Sequence, residues 1–250
     1  MIFSNLNLKE IINSRYLKEY EEGIESFYLE LAALNTNIFI INKIKEFRLD
    51  LFCPHDKSTF FLMVIKNFFE YSIITIIRLF EDTGFTIPKF KDRIINDYIK
   101  KEYKNAFIDR FNNIKFDDLT NDILKRVKHL RNKRFAHIIK NKKDIKNVNI
   151  EELEKIINYI NLFFQNLSFN TGFDMLPIPY SKKVQHPKDS DSRPDIERIL
   201  DSVAKESAFL NTPERYSKYP QVWIGIKKNW SEETLNVFYK YREKLGLPKI

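Results

Sequence analysis

Apolar residues recur at spacings of three and four through the first two thirds of the chain, the period of a helix buried along one side. Leu8, Ile11, Ile12, Tyr16 and Tyr20 place a helix over residues 7–21, and Gly23 reads as its break. A long helix is predicted from Ile24 to Phe52, with Pro54 stopping it. A second starts near Ser58, a candidate N-cap, and runs to Asp82 before a Thr83–Gly84 turn. It is apolar on most sides (Phe60, Phe61, Leu62, Ile65, Phe68, Ile73, Ile77), which predicts the central core helix. Shorter helices are expected after Pro88, from Asp117 to Lys140 and from Ile150 to Leu167. The pattern predicts an all-α fold, a four- to five-helix bundle over residues 1–168.

Residues 169–194 hold Pro177, Pro179, Pro187 and Pro194 around a polar run and read as a linker or loop. Residues 195–250 then form a C-terminal helical appendage, with helices expected over 195–209 and 231–245. Between them, Gln221 to Ile226 reads as a short strand or an extended packing arm. Trp223 and Trp230 are expected to be packing anchors for this tail rather than base-stacking platforms.

Composition narrows the function. Five glycines in 250 residues leave no Gly-rich phosphate loop. One cysteine, Cys53, excludes an internal disulfide and is expected to be a small buried hydrophobe. No acidic or His/Cys cluster has ligand spacing, and His55 and His186 stand beside prolines with no third ligand nearby. No metal and no cofactor are therefore expected. The N-terminal residues lack a signal-peptide pattern, and Lys66, Glu70 and Arg78 interrupt the most apolar stretch, so the expectation is a cytoplasmic protein without a membrane anchor.

The net charge of +8 is concentrated. Residues 125–147 hold ten Lys or Arg and one acid, Asp144, which points to a polyanionic partner, RNA or DNA, against the plainer alternative of a solvated helix face. On a helix at ~100° per residue, Leu119, Ile123, Leu124, Val127, Leu130, Phe135, Ile138 and Ile139 span one apolar arc. Most lysines fall outside it and His129 lies opposite. Arg134 falls near its middle, Arg131 inside it and His137 at its edge. Arginines on an apolar stripe need an anionic or hydrogen-bonding partner. Two copies packed about a twofold axis would line one cleft with Arg and His from both chains. Guanidinium forks suit phosphate oxygens and imidazole titrates near neutrality. His137 would move the proton of an attacking 2′-hydroxyl, and Arg131 would stabilise charge on the phosphate.

The string Arg131-Asn132-Lys133-Arg134-Phe135-Ala136-His137 resembles the motif of the HEPN superfamily, and the chain looks most like its abortive-infection, AbiU-like branch. An upstream helix with Tyr71-Ser72-Ile73-Ile74-Thr75-Ile76-Ile77-Arg78-Leu79-Phe80-Glu81-Asp82 looks like that family's Arg-Leu-Phe-Asp-type stretch. The resemblance covers roughly residues 20–168. It implies a helical bundle, a homodimer with the motif at the interface, and metal-independent endoribonuclease activity, with some members acting as toxins or phage-defence effectors. Catalysis is expected of Arg131 and His137, support or RNA contact of Asn132, Arg134 and Arg78, and phosphate contact of Lys133, Lys140, Lys142 and Lys143, which lie off the apolar arc or in the loop beyond it. Expected partners are RNA, a second copy through the motif helix, and an antitoxin or other defence protein. The competing reading is a catalytically silent HEPN module that scaffolds RNA or a partner protein. Where HEPN toxins paired with nucleotidyltransferase antitoxins carry a modified Tyr two residues after the His, this chain has Ile139. Arg78 has a structural alternative, an ion pair with Glu70, Glu81 or Asp82, and His137 has one as a core-edge histidine bonded to a backbone carbonyl.

Overall fold

The computed structural model describes residues 6–53, 55–80, 84–112, 118–131, 148–169 and 193–248. Among them the chain is helical with no β-strand, so the all-α expectation holds. The helices are α1 (Leu8–Ile11), α2 (Leu17–Glu46), α3 (Leu49–Phe52), α4 (His55–Phe80), α5 (Ile87–Arg93), α6 (Lys104–Asn112), α7 (Asp118–Leu130), α8 (Ile150–Leu167), α9 (Asp195–Lys205), α10 (Thr212–Arg215), α11 (Pro220–Lys228) and α12 (Glu232–Lys244). The chain divides into two compact units, residues 1–39 with 67–180, and residues 40–66 with 181–250.

In the first unit α2 is the spine. Tyr20, Ile24, Phe27, Leu31, Leu34 and Ile38 repeat at intervals of four and three and are all buried, one continuous stripe. On α8, Leu153, Ile156, Ile157, Ile160, Phe164 and Leu167 form a matching stripe. Two polar contacts set the register between these helices. Asn35 and Asn161 exchange amide hydrogen bonds at 3.1 and 3.0 Å, and the Tyr20 hydroxyl donates to the Leu167 carbonyl at 2.6 Å.

Several boundaries differ from the periodicity. Residues 7–21 are not one helix. Ile12 turns extended and bridges Ile99, while Asn13 N–H bonds the Tyr98 carbonyl and Lys100 N–H bonds the Ile11 carbonyl. These bonds to a distant part of the chain replace the helical ladder. Gly23 does not break a helix either, since α2 runs through it. A Cβ there would lie 2.5 Å from Cε2 of the buried Phe90 ring, so Gly23 is where an aromatic cluster touches the helix backbone. The helix predicted to reach Phe52 ends at Glu46 and resumes as α3. Helix α4 begins at His55 rather than near Ser58, placing His55 on a helix.

Helix α4 is also not buried all round. Ser72, Ile73, Thr75, Ile76, Ile77 and Leu79 face inward, but Phe60, Leu62, Met63, Tyr71 and Ile74 are exposed. By length and composition alone, Ser14–Glu46 and Ser58–Phe80 could each cross a membrane. The stripe of α2 and the inner face of α4 are buried in the protein.

The second unit is built around aromatic rings. Phe52 packs against Phe47, Phe209 and Tyr241, and Phe238 against Phe209, Trp223 and Trp230. Both tryptophans are thus packing anchors, and Cys53 is buried beside Phe52. Residues 221–226 are neither strand nor arm. They lie in α11, where Pro220 occupies the first turn with its φ already helical, and Trp223 is the buried residue. The Arg242 guanidinium is 3% exposed yet fully engaged, by both Glu214 oxygens at 2.6 and 3.1 Å and by the Leu210 and Pro248 carbonyls.

Candidate functional site

Helix α7 carries the start of the basic segment. Ile123, Val127 and Leu130, spaced by four and three, are buried, and the helix packs on α8. These positions follow the expected apolar arc from Ile123 to Leu130. Lys125, Lys128 and His129 point outward, away from that arc. Arg131 follows directly on Leu130 and is half-buried, consistent with its place inside the arc. Asn132, Lys133, Arg134, His137, Lys140, Lys142 and Lys143 lie outside the described residues, and so does residue 139.

One member of the basic run is committed to the fold. Arg126 donates from Nε to Asp122 at 2.8 Å, and its two terminal nitrogens form a fork on Glu152, at 2.6 and 3.1 Å. Glu152 belongs at the same time to the capping box of α8. Its backbone N–H donates to the Asn149 side chain at 2.8 Å, and its carboxylate accepts from Asn149 N–H at 3.0 Å. The guanidinium beside it, helped by the Asn149 N–H, holds the Glu152 carboxyl below the usual carboxylate range. Helices α7 and α8 stand on either side of the stretch that carries the motif in sequence, and this brace ties one to the other. By charge alone Arg126 belongs to the polyanion patch, and Glu152 draws no notice. The available signal was the pattern Asn149-x-x-Glu152 ahead of an apolar run.

Arg78 stands on α4 with its Nη2 2.5 Å from Oε1 of Glu30 on α2. Its acid therefore comes from the neighbouring helix. Glu70 is eight residues back, about 12 Å along the axis and ~80° around it, too far for a direct pair. Glu81 and Asp82 lie outside the described residues.

This arrangement, a set of helices whose basic α7 is followed in sequence by an Arg-to-His string, is matched by a family model, that of AbiU2 in the HEPN group, over residues 8–186. The chain belongs to the HEPN AbiU2 family. The match takes in α1 through α8 and the whole Arg131–His137 string. This HEPN protein is accordingly an abortive-infection-related HEPN module. No curated protein and no solved structure matches the chain.

Proposed function

We propose that this HEPN protein is a metal-independent endoribonuclease acting as a toxin or phage-defence effector, with its site composed at the interface of two copies. The observation that carries the reading is the Arg131–His137 string inside the range matched by the HEPN family, following in sequence on α7, whose apolar face is packed. In the reaction the ribose 2′-oxygen bonds to the adjacent phosphorus and the bond from phosphorus to the 5′-oxygen breaks. The products are a 2′,3′-cyclic phosphate and a 5′-hydroxyl. His137 takes the 2′-hydroxyl proton or supplies one to the leaving 5′-oxygen, and Arg131 offsets charge on the equatorial oxygens. Lys140, Lys142 and Lys143 hold the RNA backbone, as do Lys133 and Arg134, with Asn132 and Arg78 in support.

The test is incubation of the purified protein with total RNA in EDTA, with end analysis of the products. Cleavage leaving cyclic phosphate ends is expected, with Arg131→Ala and His137→Ala each lowering the single-turnover rate at saturating RNA at least ~100-fold. Light scattering should show a dimer for the wild type and both variants. Cleavage that needs magnesium or manganese, or that persists in His137→Ala, sinks the reading, and the latter outcome leaves a scaffold module.

A further inference from the structure

The second unit carries a basic surface that the motif does not account for. Six of its bases are paired with carboxylates among the described residues. Lys43 faces Glu46 and Glu197, Arg48 faces Asp50 and Glu233, and Arg198 faces Asp195. Arg193 and Lys244 share Asp201, and Arg242 grips Glu214. The segment from Arg215 to Trp230 behaves differently. It holds four bases, Arg215, Lys218, Lys227 and Lys228, and no acid. None of the four pairs with a carboxylate among the described residues. Arg215, Lys218 and Lys228 are exposed, and Lys227 lies 5.1 Å over the Tyr239 ring.

The shape of the segment selects among polyanions. Trp223 anchors α11, and the opposite side presents Gln221, Gly225 and Lys228, all exposed and spaced by four and three. Nothing lies within 4 Å of where a Gly225 Cβ would be, so a ligand backbone can approach closely there. Tyr219, just ahead of the helix, is 66% exposed and offers a free ring face. The exposed Val222 and Ile224 are two residues apart, about 200° around the helix, so they make no continuous apolar face for a bilayer. Unpaired cations beside an open aromatic ring are what a single-stranded nucleic acid requires, phosphates to the cations and a base on the ring.

We infer that Arg215, Lys218, Tyr219 and Lys228 form a second single-stranded RNA-binding surface, separate in sequence from the motif. The choice of RNA over DNA rests on the endoribonuclease reading; the polyanion surface itself does not. The experiment uses the full chain carrying His137→Ala, with a fluorescein-labelled single-stranded RNA 20-mer read by anisotropy over a salt series. The triple variant Arg215→Gln, Lys218→Gln, Lys228→Gln should bind about tenfold or more weakly at 0.1 M salt. It should also lower the slope of log affinity against log salt by about 2, at roughly 0.7 for each phosphate no longer neutralised. Tyr219→Ala should weaken binding several-fold and leave the slope unchanged. Lys205→Gln with Lys240→Gln, exposed lysines outside the segment, should change neither. All these side chains are exposed, so far-UV dichroism and melting should match the parent. Unchanged affinity in the triple variant overturns the surface, and so does loss of binding to phosphatidylserine vesicles or to an acidic protein with RNA affinity intact. The two readings fail separately. A wild type that never cleaves, with RNA binding still dependent on the triple, removes the nuclease and keeps the surface. A triple variant that cleaves with unchanged KM, restored to His137, removes the surface and keeps the nuclease.

Discussion

Gly23 shows how far a single residue can be misread from its neighbours. In the local sequence it looks like punctuation, because glycine costs a helix about 1 kcal/mol relative to alanine. Its reason lies far along the chain, in the ring of Phe90, whose Cε2 and Cζ sit 2.5 and 2.7 Å from where a Cβ would be. That ring cannot swing aside, because Tyr20, Phe27, Phe85 and Tyr98 surround it. Gly23→Ala should therefore destabilise the protein by about 1–3 kcal/mol despite the better helix former, since overpacking outweighs propensity. Urea unfolding measures this. Adding Phe90→Leu should recover part of the loss, and a stabilised single variant would show that the ring yields. Arg131 is the contrasting case. Its half-buried position at the end of the α7 stripe was legible, because helical spacing alone sets it.

At the scale of elements, what was legible depended on where the determining contact lies. Helix α8 was placed to the residue, because Asn149 and Glu152 cap it and its apolar period is unbroken. Helix α4 was misjudged as core because an apolar helix does not declare which of its sides has a neighbour; Phe60 and Met63 are exposed. Gln221 to Ile226 mimics a strand because it is a short run rich in β-branched and aromatic residues, Val222-Trp223-Ile224 and Ile226, whereas the structure has it in a helix with Trp223 as the buried residue. Within the candidate site, Arg126 looked like one more cation, since its partner Glu152 comes from the next helix. The side chains of Arg126 and Glu152 are only 16% and 22% exposed, so their forked bond is partly desolvated. Glu152→Gln, which keeps shape and removes charge, should cost about 1.5–3 kcal/mol in chemical denaturation, and Arg126→Met a similar amount. The double variant should lose less than the sum, because each single leaves a charge without its counterpart. Strict additivity would mean that the brace contributes nothing as a pair.

For the molecule as a whole, ionisable groups in both units bound the pH range in which it is stable. Asp50, Glu152 and Glu214 are each held below the ordinary carboxylate range by an arginine, Arg48, Arg126 and Arg242 respectively. A carboxyl that binds its proton less readily when folded contributes stability above its unfolded pKa, about 4, and loses it as pH falls toward the lower folded value. Burial acts in the opposite direction on tyrosines. It pushes Tyr98 and Tyr159 up to about 12, and raises Tyr20 and Tyr241 as well. A phenol whose folded pKa is raised keeps its full contribution below the unfolded value, about 10, and loses it as pH climbs beyond that. The melting temperature should thus be nearly level between roughly pH 5 and pH 9.5, falling on both sides. The acid edge should be shallower in Glu152→Gln, which has no carboxyl to protonate, and the alkaline edge shallower in Tyr20→Phe, which keeps the ring but loses the ionisable hydroxyl. Calorimetry from about pH 3 to about pH 11 separates the two edges. An acid limb identical in Glu152→Gln and wild type would show that the arginine pairing of Glu152 does not persist in solution.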